Sequence, residues 1–173
     1  LYKNILSKVY KYYMKILAVQ SRMGIGDTVI FLPFIKALSK KFNSPISILV
    51  KENSKANQYL HQTKYIDKIL TLERDNKTNN RHGGFFGIFK LANDLKKYKF
   101  DKIFIFNSSL RFNLVAKISG IPQIYQYPLF AKNKQHIIEA PKKFLKENLN
   151  LDINEDPEVQ IDNDSISKAA QKF

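Results

Sequence analysis

One short stretch concentrates residues that can do chemistry: Gly24-Ile25-Gly26-Asp27, a carboxylate mounted on a glycine-containing turn. A carboxylate in that setting has two uses. It can cap the helix that follows by accepting hydrogen bonds from first-turn N–H groups, or it can take a proton from a substrate hydroxyl. A second polar turn, Asn107-Ser108-Ser109, is followed at once by Arg111, whose planar guanidinium is suited to holding a phosphate or carboxylate and equally to lying solvated on a first helical turn. Arg22, beside the glycines, carries the same two readings.

Both turns follow apolar runs that read as strands. Ile16 to Val19 is a short aliphatic run that empties into the glycine turn, and after Asp27 the period changes, with Val29, Ile30, Phe34, Ile35, Leu38 and Phe42 at helical spacing. Strand, glycine turn and helix in that order present backbone N–H groups above a sheet edge, where open α/β sheets bind ligands. Further strands are expected at Pro45–Val50, Ile66–Leu72, Lys102–Phe106 and Ile124–Tyr127. Helices are expected at Ser54–His61, Phe85–Tyr98, Leu110–Ser119 and Lys134–Asn148. Glu73 to Gly84 reads as an exposed polar loop. The alternation predicts an α/β fold, a Rossmann-like parallel sheet with helices on both faces. If the strands are parallel, Asp27 and Arg111 share one sheet edge.

Composition narrows the chemistry. At 173 residues and 44% hydrophobic, with 13 Phe and 9 Tyr, the chain can bury a core, and its apolar runs are too short to span a bilayer. It has no cysteine, which removes disulfides, thiolate nucleophiles and cysteine-ligated metals. His61, His82 and His136 are scattered rather than clustered, so they read as surface or packing residues and no metal is expected. Neither a Gly-x-Ser-x-Gly elbow nor a P-loop is present.

Charge is uneven. The whole chain is +14, but residues 1–151 hold 27 basic and 9 acidic side chains, a net of +18, because six acids crowd between Asp152 and Asp164. Such a field attracts phosphorylated substrates, anionic lipid or nucleic acid, or simply keeps the protein soluble. No zinc-finger or RNA-binding motif accompanies it, so nucleic acid is not expected. Residues 1–13, with Lys3, Lys8 and Lys11 among aromatics, read either as a poorly ordered basic leader or as a helix lying on a membrane surface. Residues 14–151 form the Rossmann-like domain. Residues 152–173 read as an acidic linker and the start of a truncated second domain.

The glycine turn also invites comparison with a dinucleotide fingerprint, with Glu52 in place of the ribose-binding acid. Val29 stands where its third glycine should be, and Asp27 would repel a pyrophosphate. A stand-alone Rossmann-like module for nucleotides or other anions nevertheless remains the alternative.

The order Lys15-Ile-Leu-Ala-Val-Gln20, Gly24-Ile-Gly-Asp27, Leu32-Pro33-Phe-Ile-Lys-Ala-Leu38, Ile46-Ser-Ile-Leu-Val50, Tyr65-Ile-Asp-Lys-Ile69, Phe100-Asp-Lys-Ile-Phe-Ile105, Ser109-Leu-Arg111 and Ile118-Ser-Gly-Ile121 resembles the N-terminal half of the bacterial lipopolysaccharide heptosyltransferases, glycosyltransferase family 9. The likeness runs from Met14 to Ile161. It implies the N-terminal half of a GT-B fold, in which the first domain binds the acceptor, the second binds a nucleotide-sugar, and transfer inverts the anomeric centre without a metal or other cofactor. On that resemblance Asp27 is the general base. Arg22, Gly24, Gly26, Asn107, Ser108 and Arg111 face a phosphorylated, lipopolysaccharide-core-type glycolipid acceptor. The implied location is cytoplasmic, at the inner face of the cytoplasmic membrane. The turn Ser21–Gly26 departs from the best-known members by being a residue longer.

Overall fold

The computed structural model describes residues 13–21, 24–74, 80–129, 137–159 and 167. Arg22, His136 and the basic leader of residues 1–12 lie outside them. Five strands, β1 (Ile16–Val19), β2 (Ile46–Lys51), β3 (Ile66–Leu72), β4 (Lys102–Ile105) and β5 (Gln123–Gln126), form one all-parallel sheet in the order β3-β2-β1-β4-β5. The helices are α1 (Ile25–Phe42), α2 (Ala56–Tyr59), α3 (Phe86–Lys96), α4 (Leu110–Ile118) and α5 (Glu139–Leu149), with a 3-10 turn at Glu52–Ser54. The expected strands and helices recur among the described residues, with ends shifted by a few residues; the start of the helix expected at Lys134–Asn148 lies outside them.

β1 is central because its residues are aliphatic on both faces, the pattern of a parallel strand covered on both sides. Ile16 and Ala18 face a layer built by α1, α2 and α5 with Phe104 and Phe106. Leu17 and Val19 face the layer of α3 and α4, built on Leu91, Leu95, Phe112 and Val115. β3 carries the exposed charges Asp67 and Lys68, as befits an edge strand.

Two expectations are corrected. The buried stripe of α1 centres on Phe31, Leu32, Phe34, Ile35 and Leu38, while Val29, Ile30 and Phe42 are half-buried. Phe31, on that stripe, packs edge-on against Phe106 at 4.7 Å. The polar loop before α3 is not uniformly exposed: His82 is only 4% exposed. The described part of the acidic stretch after α5, residues 151–159, lies against the α1 layer. Ile153 is buried in the α1 layer, and Glu155 accepts ion pairs from Lys36 at 3.1 Å and from Lys40. Those lysines hold the Glu155 carboxyl below its usual range. Tyr65, near the same acids, is pushed up to about 12 by burial and then by the Glu158 and Glu155 charges.

Candidate functional site

The strand order reverses direction between β1 and β4, so the connections leaving them pass to opposite faces: β1 leads into α1, and β4 into α4. The crevice that results, at the carboxyl ends of the strands, is where ligands bind open α/β sheets. Phe106 N–H donates to the Val19 carbonyl at 3.1 Å, carrying the β1–β4 pairing up to the lip of the crevice.

On the β1 side, Gly24 is the N-cap of α1, with φ 107° and ψ 161°, a region essentially closed to residues with a Cβ. Thr28 locks the turn by donating its hydroxyl to the Gly24 carbonyl at 3.0 Å. The Tyr59 phenol sits against Thr28, raised above its ordinary pKa by burial, with the Thr28 hydroxyl pulling the other way. Asp27 falls in the first turn of the helix rather than at its cap. The capping role is therefore corrected: α1 begins at Ile25, and among the described residues no side chain caps it. A carboxylate here still gains from the positive end of the helix dipole. Asp27 is half-exposed, and among the described residues its side chain has no hydrogen-bond or ion-pair partner. One carboxylate oxygen lies 4.0 Å from where a Cβ on Gly24 would stand, so the acid folds back over the glycine turn. Gly26 is exposed, and a Cβ there, its chain neighbours and own helix backbone aside, would meet nothing within 4 Å among the described residues.

On the β4 side, Asn107 ties the two turns together. Its amide donates to the Ser21 hydroxyl at 3.2 Å, and its side-chain oxygen accepts from the Ser109 N–H at 2.9 Å. Gln126, at the end of β5, donates to the carbonyls of Asn107 at 3.1 Å and Ser109 at 2.9 Å, and accepts from Asn113 at 2.9 Å. Ser108 is half-buried between these held positions.

The structure thus brings Asp27, Gly24, Gly26, Asn107 and Ser108 to one edge, on the two turns that flank the crevice. Arg111 is differently engaged. Its guanidinium donates to the Gly84 carbonyl at 2.7 Å and to the His82 carbonyl, lying against Gly87, and so fastens the loop before α3 to the start of α4. That loop is held from within as well. His82 Nδ1 accepts from the Glu73 N–H at 3.0 Å, which leaves Nε2 to donate to Asp94 at 3.1 Å, and Arg81 adds a two-pronged ion pair to the same carboxylate. Burial pushes the Asp94 carboxyl up, and the His82 and Arg81 hydrogen bonds outweigh it, leaving it below its ordinary value. These groups line a cleft of about 390 Å³ between β3 and α3.

Gln126 and Tyr59 were not among the residues singled out by sequence. No motif marks either one; only a glutamine ending a strand beside a polar turn hints at the first. Among the described residues no group of His, Asp and Glu is placed to hold a metal ion, and no helix is long and apolar enough to cross a membrane.

Neither a protein-family model nor a curated protein sequence matches the chain. Solved structures do. The glycosyl transferase family 9 protein from Veillonella parvula DSM 2008 superposes with a TM-score of 0.70 at 18% identity, covering 92% of this chain and 48% of its own. The E. coli ADP-heptose lps heptosyltransferase II gives 0.61 at 16%, covering 92% and 50%. The E. coli heptosyltransferase WaaC with ADP-2-deoxy-2-fluoro heptose gives 0.55 at 12%, covering 82% and 50%. The fold is therefore that of the Rossmann-like half of these GT-B proteins, consistent with an N-terminal domain. The chain spans about half the length of the solved proteins it matches.

Proposed function

We propose that the chain is the acceptor-binding half of an inverting family 9 glycosyltransferase. It moves a heptose-like sugar from a nucleotide-sugar to a phosphorylated, lipopolysaccharide-core-type glycolipid. The observation that carries this reading is the placement of Asp27 on a locked glycine turn at the switch-point crevice of a fold shared with glycosyltransferases. The solved relatives lend the nucleotide-sugar: one is an ADP-heptose heptosyltransferase, and another was solved with a fluorinated ADP-heptose.

In this scheme the acceptor hydroxyl lies over the Gly24–Asp27 turn. Asp27 removes its proton as the oxygen attacks the anomeric carbon from the face opposite the nucleotide. The C–O bond to the diphosphate breaks, and the nucleoside diphosphate leaves with the bonding pair. General-base assistance of this kind is worth about 10²–10⁴ in rate. Gly26 lets the acceptor approach the backbone, and Asn107 and Ser108 offer hydrogen bonds from the opposite lip. Arg22 and the basic body supply the field that draws the acceptor phosphates, while Arg111 acts chiefly by holding the loop before α3. The donor is held by a second domain, and no cofactor is needed.

The test is a transfer assay with the longest natural form of the protein, ADP-heptose and a phosphorylated core acceptor, reading the product's anomeric configuration by NMR. Inverted product is expected, and retained configuration would sink the mechanism. Tight saturable nucleotide binding by the 173-residue chain without transfer would favour the stand-alone module instead.

A further inference from the structure

The hydroxyl of Tyr59 is out of place on a residue that only packs. Tyr59 ends α2 and lies half-buried against the α1 layer, yet its phenol oxygen is fully buried and closes no hydrogen bond of ordinary geometry among the described residues. A hydroxyl in that state destabilises the fold, and phenylalanine would supply the same ring without it. The polar group it sits against is the buried Thr28 hydroxyl, in the first turn of α1.

Thr28 is the residue that holds the glycine turn. Its N–H donates to the Gly24 carbonyl at 3.4 Å, beyond the usual range of about 2.7–3.2 Å, whereas its hydroxyl donates to the same oxygen at 3.0 Å. The side chain is therefore the firmer of the two links. With its one proton given to Gly24, the Thr28 oxygen can only accept, and the Tyr59 O–H beside it is a donor. The two groups are complementary, and a slight inward movement of the turn joins them. The relay then runs from the Tyr59 O–H through the Thr28 O–H to the Gly24 carbonyl, in a dry setting where each bond strengthens the next.

Asp27 adjoins Thr28 and has no comparable restraint of its own. Its carboxylate folds back over Gly24 and has no hydrogen-bond or ion-pair partner among the described residues, so it is aimed by the backbone that Gly24 and Thr28 fix on either side of it.

We propose that Tyr59 is a positioning residue for Asp27: its hydroxyl closes onto Thr28 when an acceptor settles on the Gly24–Asp27 turn, and this fixes the carboxylate for proton removal. The inference rests on the reading of Asp27 as the base. It explains why a hydroxyl that weakens the resting fold stands there, since it serves the loaded state.

The test uses the longest natural form of the protein, ADP-heptose and a phosphorylated core acceptor. Tyr59→Phe should melt at or above the wild-type temperature, lower kcat about tenfold and leave the acceptor KM nearly unchanged. A residue that acts only through Asp27 has nothing to act on once the base is gone, so adding Tyr59→Phe to Asp27→Asn should change the residual kcat by less than about twofold. Thr28→Val, which keeps the shape and removes the link, should silence Tyr59→Phe in the same way; in Thr28→Ser, which keeps the hydroxyl, Tyr59→Phe should again lower kcat. As a readout without turnover, the core acceptor alone should slow amide exchange at Thr28 about tenfold in the wild type and far less in Tyr59→Phe. The positioning role is overturned if Tyr59→Phe keeps the wild-type kcat, or if its loss in kcat is equal in the wild-type and Asp27→Asn backgrounds, as a general loosening of the fold would make it. It is also overturned if acceptor slows the Thr28 amide equally with and without the phenol oxygen. These outcomes leave the base standing. Failure of the base is read separately, as wild-type turnover in Asp27→Asn, and takes this inference with it.

Discussion

Gly24 holds a backbone conformation that side chains oppose, and Gly26 does not, so the two glycines of one turn make opposite predictions. At Gly24 the obstacle is backbone strain rather than collision, since among the described residues a Cβ would meet no more than the Asp27 carboxylate, at 4.0 Å. Gly24→Ala should cost about 1–3 kcal/mol, read as a lower urea midpoint at unchanged slope, and should lower transfer by displacing Asp27. At Gly26 a methyl enters open space. Gly26→Ala should leave the urea midpoint unchanged or slightly raised, and should still weaken the acceptor KM if substrate approaches the backbone there. Normal kinetics in Gly26→Ala would remove that residue from the acceptor surface. The glycine spacing and the acid after it were visible in the sequence. Which glycine bears the strain was not, because that depends on where α1 begins, and helix ends are set by backbone geometry as much as by residue type.

At the scale of elements, Arg111 separates two roles that its sequence position left open. As a clasp between α4 and the loop before α3, its loss would leave two carbonyls without their donor. Arg111→Ala should then destabilise the fold by about 1–3 kcal/mol and speed hydrogen exchange at the His82 amide, which bonds the Glu73 carbonyl at 2.9 Å. Arg111→Lys should not restore this, because an ammonium lacks the fork that spans both carbonyls. A variant of normal stability and slow amide exchange, with only acceptor affinity lost, would return Arg111 to the anion-binding role. Gln126 acts likewise on the other lip: Gln126→Ala frees the Asn107 and Ser109 carbonyls, and should raise exchange at the Ser109 amide ahead of any global change. These assignments were hidden in the sequence, since each depends on a partner brought close only by the strand order.

For the whole molecule, the architecture was legible because parallel strands buried on both faces are written as bare aliphatic runs such as Ile16–Val19, and turn residues mark their ends. The docked acidic strap was not, because Ile153 is a lone apolar residue among acids, and its burial depends on a surface offered by α1. The strap carries a pH dependence of definite sign. Lys40 and Lys36 lower the folded-state pKa of Glu155, so its contribution is present above the ordinary carboxylate range and is lost as pH falls through the depressed value. Acidification below about pH 4 should therefore release the strap, read as loss of NMR contacts between the Ile153 methyl groups and the buried layer they enter. In Glu155→Gln those contacts should already be weakened at neutral pH and nearly insensitive to acid; a pH response equal to that of the wild type would show that the ion pairs do not hold the strap.

The central claim is that the Gly24–Asp27 turn is a mount for a base. It is tested most directly by comparing Asp27→Asn with wild type in the longest natural form of the protein, measuring kcat for sugar transfer at saturating acceptor. The amide keeps the shape of the side chain and removes its capacity to take the proton. A fall in kcat of about 10²-fold or more, with acceptor KM little changed, is the predicted result; transfer at the wild-type rate would contradict the account.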